Sequence, residues 1–233
     1  MIWFYHAVFM EDGKVMNKLN VLYEDNHIIV VEKPVNVLSQ SDSTNDVDLL
    51  SMVKDYVKVK YNKPGNVYIG LIHRLDRPVG GIMAFARTSK AASRLSEQVQ
   101  KHEFSKKYLA VVNGKVSDSG EFVDKLERLS NGNTIVSKNG KEAILNYKLV
   151  EYNKDKDCSL VEINLKTGRH HQIRVQFSSR GHALCGDQRY GVEDKTQIAL
   201  FAYHLSFTHP VSKERMEFEL KPKQIGHWTS FTL

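Results

Sequence analysis

A single carboxylate stands close to two guanidinium groups in the segment 72–78, which reads Ile-His-Arg-Leu-Asp-Arg-Pro. Arg74 precedes Asp76 by two positions, and Arg77 follows it directly. Nearby cations favour the ionised form of a carboxylic acid, and an ionised carboxylate can serve as a nucleophile or a general base. The segment therefore carries a candidate catalytic acid, although taken alone it is more typical of an ordinary surface ion cluster.

A second polar group, Thr-Gly-Arg-His-His-Gln-Ile-Arg, ends at Arg174. Helical spacing places His170 and Arg174 on one side and His171 on another, so the first turn of a helix could offer N–H groups and an arginine to an anion. A zinc site would need both histidines together with His182 and Cys185. Because adjacent histidines point in different directions on a helix, and no glutamate supplies the usual hydrolytic base, we predict no metal site.

The charge of the chain is unevenly distributed. It contains 33 Lys and Arg against 27 Asp and Glu, a formal net charge of +6 with a pI near 9.1. The segment 71–107 holds eight basic residues against three acids, and the segment 168–186 holds three Arg and three His without an acid. Clustered cations suit a polyanion, because binding phosphates releases condensed counterions. Composition alone favours an ordinary solvated surface. The motifs must decide between this interpretation and a surface that binds a polyanion.

Composition and cysteine content limit where the protein can work. The apolar runs are at most six residues long, far below the roughly 20 needed to cross a bilayer, which excludes a transmembrane function. The apolar start lacks the basic region of a secretory signal. Cys158 and Cys185 are too few for a disulfide framework. We therefore expect a cytoplasmic protein.

Hydrophobic periodicity and turn residues predict both strands and helices. Apolar runs predict strands at 20–23, 28–32, 82–87, 108–112, 142–151, 159–166, 198–207 and 216–220. A turn at Asp25-Asn26 would join the first two strands. Helical spacing predicts helices at 46–61, directly after the cap Thr88-Ser89, and at 171–180. Ser43 and Asp46 would cap the first helix, and Gly181 would end the last one in a left-handed conformation.

The segment 114–140 is polar and rich in turn residues. Its hairpin signals are Ser119-Gly120, Asn131-Gly132 and Asn139-Gly140. Strands outnumber helices, and short turns join several of them. We therefore predict an α+β fold with a mixed, largely antiparallel central sheet and flanking helices.

The order of these motifs resembles that of the RluA-type RNA pseudouridine synthases. The shared motifs are the segment 22–34, His73-Arg74-Leu75-Asp76, Lys107-Tyr108, the segment 167–174, Gly181-His182, Gly186-Asp187, the segment 202–205 and His209-Pro210. Each motif alone is weak, but their order and spacing together form a strong signal. The resemblance implies a pseudouridine synthase-like domain with a catalytic cleft over residues 19–233, after an N-terminal extension of residues 1–18.

The resemblance also implies roles for individual residues. Asp76 matches the catalytic aspartate of the family, and Arg174 matches the arginine that pairs with it. Tyr108 matches the tyrosine that packs on the target base, Arg74 the position that enters the RNA where this base has left, and Leu200 the apolar residue that lines the uracil pocket. Further contacts to RNA are expected from His73, Arg77, Arg169 and His170.

The chain departs from the family pattern at two places. It reads Val79-Gly80-Gly81 where the family commonly has Thr-Ser-Gly, and it has Gln176 where a histidine often follows the helix arginine. The catalytic trio of Asp76, Tyr108 and Arg174 is retained.

The implied activity is the isomerisation of uridine to pseudouridine in ribosomal or transfer RNA. The reaction breaks the N1–C1′ bond and joins C5 to C1′ without a net redox change, so neither a cofactor nor a metal is expected. A base in a duplex must be flipped out, at a cost that is lowest in loops and bulges. The expected partner is therefore structured RNA with a uridine in a single-stranded loop or bulge. We expect a monomer without an obligate protein partner.

Two other functions fit parts of the sequence. The first is a non-catalytic RNA-binding module on the same scaffold, suggested by the basic segments. The second is a nucleoside glycosidase or a metal-dependent hydrolase. Glycoside hydrolysis usually needs two carboxylates, and no second acid accompanies Asp76 in its motif. Isomerisation is therefore favoured over hydrolysis.

Overall fold

The computed structural model describes residues 5–7, 10–11, 14–15, 19–44, 46–192 and 195–233. The chain divides into two compact units. One unit comprises Met1–Phe104 and Leu205–Glu219, and the other comprises Ser105–His204 and Leu220–Leu233. The sheet is mixed and mostly antiparallel, and helices are few. The predicted α+β class is confirmed.

Strands predominate over helices along the described residues. The strands are β1 Tyr5–Ala7, β2 Met10–Glu11, β3 Lys14–Val15, β4 Leu19–Glu24, β5 Ile28–Lys33, β6 Gly70–Leu71, β7 Gly80–Ala86, β8 Ser105–Asn113, β9 Ser119–Arg128, β10 Thr134–Val136, β11 Lys141–Asn153, β12 Cys158–Leu165, β13 Leu200–Thr208 and β14 Arg215–Glu219. The helices are α1 Leu49–Lys60, α2 Ser89–Gln100, α3 Gln172–Ser178 and a 3-10 helix at Gly226–Ser230. Within the described ranges, no helix has the length and apolar character that crossing a membrane requires.

Antiparallel pairing organises the first unit in the order β1, β4, β5 and β7, with β6 also paired to β7. Asp25 closes the turn between β4 and β5, because its Oδ1 accepts the N–H groups of His27 and Ile28, each at 2.7 Å. The predicted strand pair and its turn are therefore confirmed. Strand β7 is buried along its whole length, which gives the loop before it a rigid base.

The caps of the first two helices differ in how well the sequence predicts them. In α2 the predicted cap is confirmed, since Thr88 accepts the N–H of Ala91 at 3.2 Å. In α1 the predicted caps Ser43 and Asp46 are wrong. The cap is Asp48, whose carboxylate accepts the Ser51 N–H at 3.0 Å. Asp48 has the extended backbone that a capping residue needs, whereas Asp46 lies outside the first turn and pairs with an arginine.

The second unit contains the order β8, β12, β11, β9 and β10, again antiparallel. The polar segment 114–140 forms ribbons on this sheet, with turns closed by hydrogen bonds of 3.0 Å from the N–H groups of Gly132 and Gly140. The expected turn at Ser119-Gly120 is wrong, because both residues lie inside β9. A Cβ on Gly120 would lie 2.6 Å from the Tyr147 ring, so this glycine allows an aromatic ring to pack on the strand.

Helix α3 is shorter than the predicted range 171–180. His171 has a φ of 52°, a left-handed conformation that a helix cannot include, so the helix begins at Gln172. After the helix, Gly181 has a φ of 81°. The predicted left-handed glycine is therefore confirmed, although the helix itself already ends at Ser178.

Candidate active site

Asp76 lies in the loop between β6 and β7 of the first unit, and its side chain is half-buried. The N–H of Val79 donates to the Asp76 carbonyl oxygen at 3.0 Å and closes a tight turn. Directly before the acid, the N–H of Leu75 donates to Ser39 Oγ at 3.1 Å, and the Leu75 carbonyl accepts from the same hydroxyl at 2.7 Å. The backbone is therefore fixed on both sides of the candidate acid.

Lys33 supports this loop from within the core. It is fully buried at the end of β5, and its ammonium donates to the carbonyl oxygens of Pro34 at 3.0 Å, Arg77 at 3.0 Å and Val79 at 2.7 Å. Burial lowers the pKa of Lys33 to about 7, while the Asp76 carboxylate opposes this effect and Arg77 adds to it. Sequence reasoning treated Lys33 only as the end of a strand. A lysine between a buried apolar run and a proline is the signal that could have marked it.

The two arginines near Asp76 differ in their surroundings. Arg74 is exposed to solvent. The Nη1 of Arg77 lies 2.7 Å from the carboxylate of Asp46, and both side chains are about half exposed. Arg77 is therefore engaged by a surface ion pair, and the role of Arg74 in RNA contact stays a prediction.

His73 is buried beneath the loop, with 9% of its surface exposed. Its Nε2 accepts the N–H of Ala84 at 3.1 Å, and its ring lies 5.1 Å from the ring of Phe104. These contacts join the loop to β7 and to the core. The surroundings of His73 are those of a residue that supports the loop.

Arg174 is held by an acid of its own unit, Asp187. Its Nε donates to Asp187 Oδ2 at 2.8 Å and its Nη2 to Asp187 Oδ1 at 2.7 Å, and both side chains are buried. The ring of Tyr190 lies 5.2 Å from the guanidinium carbon. A bidentate pair of this kind fixes the plane and the direction of the guanidinium. Sequence reasoning included Asp187 in a motif but assigned it no role.

The turn that follows Asp187 fixes this carboxylate in place. Its Oδ1 also accepts the N–H groups of Arg189 at 3.0 Å and Tyr190 at 3.2 Å. Before it, Gly186 has a φ of 75°, and a Cβ there would lie 2.4 Å from the carbonyl oxygen of Gln197. Only glycine fits this position, so the motif Gly-Asp is a geometric requirement of the pair with Arg174.

The histidines ahead of α3 are engaged by internal contacts. His170 Nδ1 is 2.8 Å from Thr134 Oγ1, and its ring stacks on that of His171 at 3.7 Å. His171 Nδ1 is 2.7 Å from the Tyr190 hydroxyl. Burial, followed by the charge of Arg174 and other cations, lowers the pKa of His171 to about 3, so this ring is neutral at neutral pH. Arg169 is exposed, and its Nε donates to a backbone carbonyl.

Tyr108 and Leu200 both belong to the second unit and lie on the neighbouring strands β8 and β13. Both are buried. The neighbours Leu109 and Phe201 belong to the hydrophobic core cluster of this unit. Since successive side chains of a strand point to opposite faces, Tyr108 and Leu200 lie on the face away from that cluster.

The predicted residues thus divide between the units. The first unit holds His73, Arg74, Asp76 and Arg77, and the second holds Tyr108, Arg169, His170, Arg174 and Leu200. In the described part of the chain, no three His, Cys, Asp or Glu side chains are grouped as metal ligands would be. Cys185, a member of the zinc set considered from sequence, lies 3.3 Å from the Asn113 side-chain oxygen.

Comparison with known proteins gives consistent matches. A model of the RNA pseudouridylate synthase family matches residues 27–179, a range that includes Asp76, Tyr108 and Arg174. The chain is 33% identical over 223 residues to ribosomal large subunit pseudouridine synthase D of Zymomonas mobilis, which covers 88% of this chain and 70% of that protein. It is also 33% identical over 218 residues to an uncharacterized RNA pseudouridine synthase of Aquifex aeolicus. That match covers 87% of this chain and 69% of the Aquifex aeolicus protein.

A solved structure shares the fold. Human RNA pseudouridylate synthase domain containing 4 matches 90% of each chain with a TM-score of 0.74. The sequence identity is 18%, so this likeness concerns the architecture alone.

Proposed function

The chain belongs to the RNA pseudouridylate synthase family, and we propose that it isomerises uridine to pseudouridine in ribosomal RNA with Asp76 as its catalytic carboxylate. Ribosomal RNA is the proposed substrate because the relative from Zymomonas mobilis is named for the large ribosomal subunit. The observation that carries the assignment of Asp76 is its loop, whose backbone Lys33 and Ser39 fix on both sides.

The reaction requires an exposed nucleotide. The N1–C1′ bond breaks, the uracil turns while it is held, and C5 joins C1′, with a proton lost from C5 and one gained at N1. No oxidant, reductant or energy source enters this balance, so we propose that no cofactor is used. A base that leaves the helical stack costs a few kcal/mol, and less in a loop or a bulge.

In this proposal Asp76 acts in its ionised form, either as a nucleophile at C1′ or as a base that removes a ribose proton. Both roles require that the carboxylate meets the sugar in one orientation, because misplacement of a reacting group is costly in rate. The support for this role comes from the hydrogen bonds around the Asp76 backbone. The turn closed by Val79 and the hydrogen bonds of Leu75 leave the Asp76 backbone little freedom.

We propose Arg174 as the cation that keeps Asp76 ionised and oriented. A guanidinium offers five N–H donors, and Asp187 accepts from the Nε and Nη2 side of Arg174. This pair fixes the direction of the guanidinium, which its proposed role requires. Charge-assisted hydrogen bonds of this type favour the ionised acid.

We propose that the remaining predicted residues contact the RNA. We propose that Tyr108 packs on the uracil and Leu200 lines its pocket, which their shared face of the sheet supports. Arg74 is exposed beside the acid, as a side chain that replaces the flipped base must be. Arg169 and His170 would contact the RNA backbone from the turn before α3.

We further propose a monomer that acts in the cytoplasm without an obligate protein partner. Cys158 and Cys185 are both free thiols, which suits a reducing compartment. Light scattering of the purified protein, alone and with RNA, tests the proposed monomer.

A genetic experiment tests the proposed function. Pseudouridines are mapped across total RNA from cells with and without the gene, and the deletion is complemented by wild type, by Asp76→Asn and by the exposed control Asp55→Asn. We expect modification to disappear from defined ribosomal uridines and to return with wild type and Asp55→Asn only. Identical maps with and without the gene would remove the proposal.

A further inference from the structure

Lys106 and Tyr108 lie two positions apart on β8 of the second unit. Side chains at this spacing share one face of a strand, with a separation of roughly 6.5 Å along it. Lys107, between them, points to the opposite face, where its Nζ lies 3.5 Å from the carboxylate of Glu162. Of these two adjacent lysines in the described strand, Lys107 therefore has an acidic partner on its face, and Lys106 lies on the other face.

The ammonium group of Lys106 has no partner of this kind. Among the residues that the structure describes, no carboxylate pairs with it and no acceptor is hydrogen-bonded to it. Burial alone lowers the pKa of Lys106, which shows that protein surrounds much of the ammonium. A charge that loses water without gaining a partner destabilises the folded protein.

The turn ahead of α3 leaves room beside this charge. A Cβ placed on Gly168 would lie 3.6 Å from the Lys106 Nζ, so the backbone of the turn packs close while no side chain of residue 168 covers the ammonium. Arg169, the next residue, is an exposed cation. The side of Lys106 that faces Gly168 therefore has backbone but no side chain of residue 168, which suits an anion supplied from outside the protein.

We propose that Lys106 binds a phosphodiester oxygen of the RNA strand, next to the nucleotide whose base packs on Tyr108. This inference rests on the proposed function, because it uses the role proposed for Tyr108. An ammonium is a compact point charge that suits a phosphate oxygen. Sites that break the rules of a stable core are expected where function requires them, and the RNA would supply the missing counter-charge.

Salt-dependent binding tests the inference. The affinity of a fluorescein-labelled oligouridylate is measured by anisotropy over a range of KCl concentrations for wild type, Lys106→Met and Lys107→Met. Each phosphate contact to single-stranded nucleic acid contributes about 0.7 to the slope of log K against log salt. We expect Lys106→Met to lose about that much of the slope and Lys107→Met to keep the wild-type slope. An unchanged slope in Lys106→Met, or an equal loss in both variants, overturns the proposal.

Thermal unfolding without RNA provides a second readout. Methionine keeps an apolar stem of similar length and removes the buried charge, so Lys106→Met should raise the Tm, whereas Lys107→Met should not. A lower Tm in Lys106→Met would indicate a structural role and overturn the proposal.

A tritium-release assay distinguishes failure of the proposed function from failure of the role of Lys106. It measures tritium that the wild-type protein releases from C5-labelled uridine in ribosomal RNA. If wild type releases no tritium but Lys106→Met still loses salt dependence, only the proposed function fails. If wild type is active and the slopes are equal, only the role of Lys106 fails.

Discussion

The Nζ of Lys33 lies 2.7 Å from the carbonyl oxygen of Val79, a separation of 46 residues along the chain. The same ammonium donates to the carbonyl of Arg77 at 3.0 Å, so one buried side chain ties the end of β5 to the backbone that follows Asp76. The candidate acid is therefore held by the core of its unit as well as by its own turn.

Replacement of this lysine should reduce catalysis more than RNA binding. Lys33→Met leaves three carbonyl groups without their donor, and buried carbonyls without a partner favour a rearranged backbone. We expect kcat to fall at least about tenfold, equivalent to about 1.4 kcal/mol, with the RNA affinity nearly unchanged. Single-turnover kinetics at saturating RNA measure this effect. The exposed Lys63→Met is the control, and a wild-type kcat in Lys33→Met would exclude a positioning role.

The same lysine predicts a pH dependence of stability. Burial lowers the pKa of Lys33 to about 7 in the folded protein, whereas an unfolded chain binds this proton up to about pH 10.4. Between these values the unfolded state binds more protons, so the free energy of unfolding should rise with pH by at most about 1.4 kcal/mol per unit. Below about pH 7 the charged lysine contributes a constant penalty without a slope.

Urea denaturation of wild type and Lys33→Met at a series of pH values isolates this contribution. Wild type should gain stability relative to the variant from about pH 7.5 to about pH 9.5. A difference that stays constant over this range would show that Lys33 keeps its proton.

The pair between Arg174 and Asp187 should be costly to break. Asp187→Asn keeps acceptor atoms for the turn but removes the charge that the bidentate pair places beside a buried guanidinium. We expect a loss of about 3 kcal/mol in the free energy of unfolding and a fall in kcat of about tenfold or more, since each tenfold step needs only about 1.4 kcal/mol. Denaturant titration and single-turnover kinetics give the two values. Glu97→Gln, which breaks an exposed pair with Lys101, should change neither, and wild-type behaviour in Asp187→Asn would refute the prediction.

Two glycines with the same backbone conformation offer a matched comparison. Gly186 and Gly181 have φ values of 75° and 81°, but a Cβ would meet the Gln197 carbonyl at 2.4 Å in the first and nothing within 4 Å in the second. Gly181→Ala should cost about 1–2 kcal/mol from the backbone alone. Gly186→Ala should cost about 1–3 kcal/mol more, because the neighbouring backbone must move. Equal unfolding free energies for the two variants would contradict this account.

Local sequence signals predicted much of the fold. The turn at Asp25 and the helix start at Thr88 follow from side chains that bond to the backbone within three residues. The cap of α1 was misplaced because several acceptors precede the helix, and only the backbone of Asp48 is extended directly before it. At Gly120 the same residue type that favours a turn serves the packing of Tyr147 instead.

Sequence motifs predicted some residues of the candidate site. They did not predict the contacts between residues that lie far apart along the chain. The motif around Asp76 predicted a candidate acid, but the hydrogen bonds of Lys33 join residues 44 and 46 positions apart, which no local pattern contains. Asp187 stood in a motif, yet its contact with Arg174 depends on how α3 meets the turn after it. Such partners become visible only when the chain is folded.

Release of the C5 hydrogen tests the central role of Asp76 most directly. Ribosomal RNA that carries tritium at C5 of uridine is incubated with wild type, Asp76→Asn and Asp55→Asn, and RNA binding is measured in parallel. We expect wild type and Asp55→Asn to release tritium, and Asp76→Asn to bind the RNA with nearly the same affinity and release none. Tritium release by Asp76→Asn at the wild-type rate would show that another residue carries the reaction.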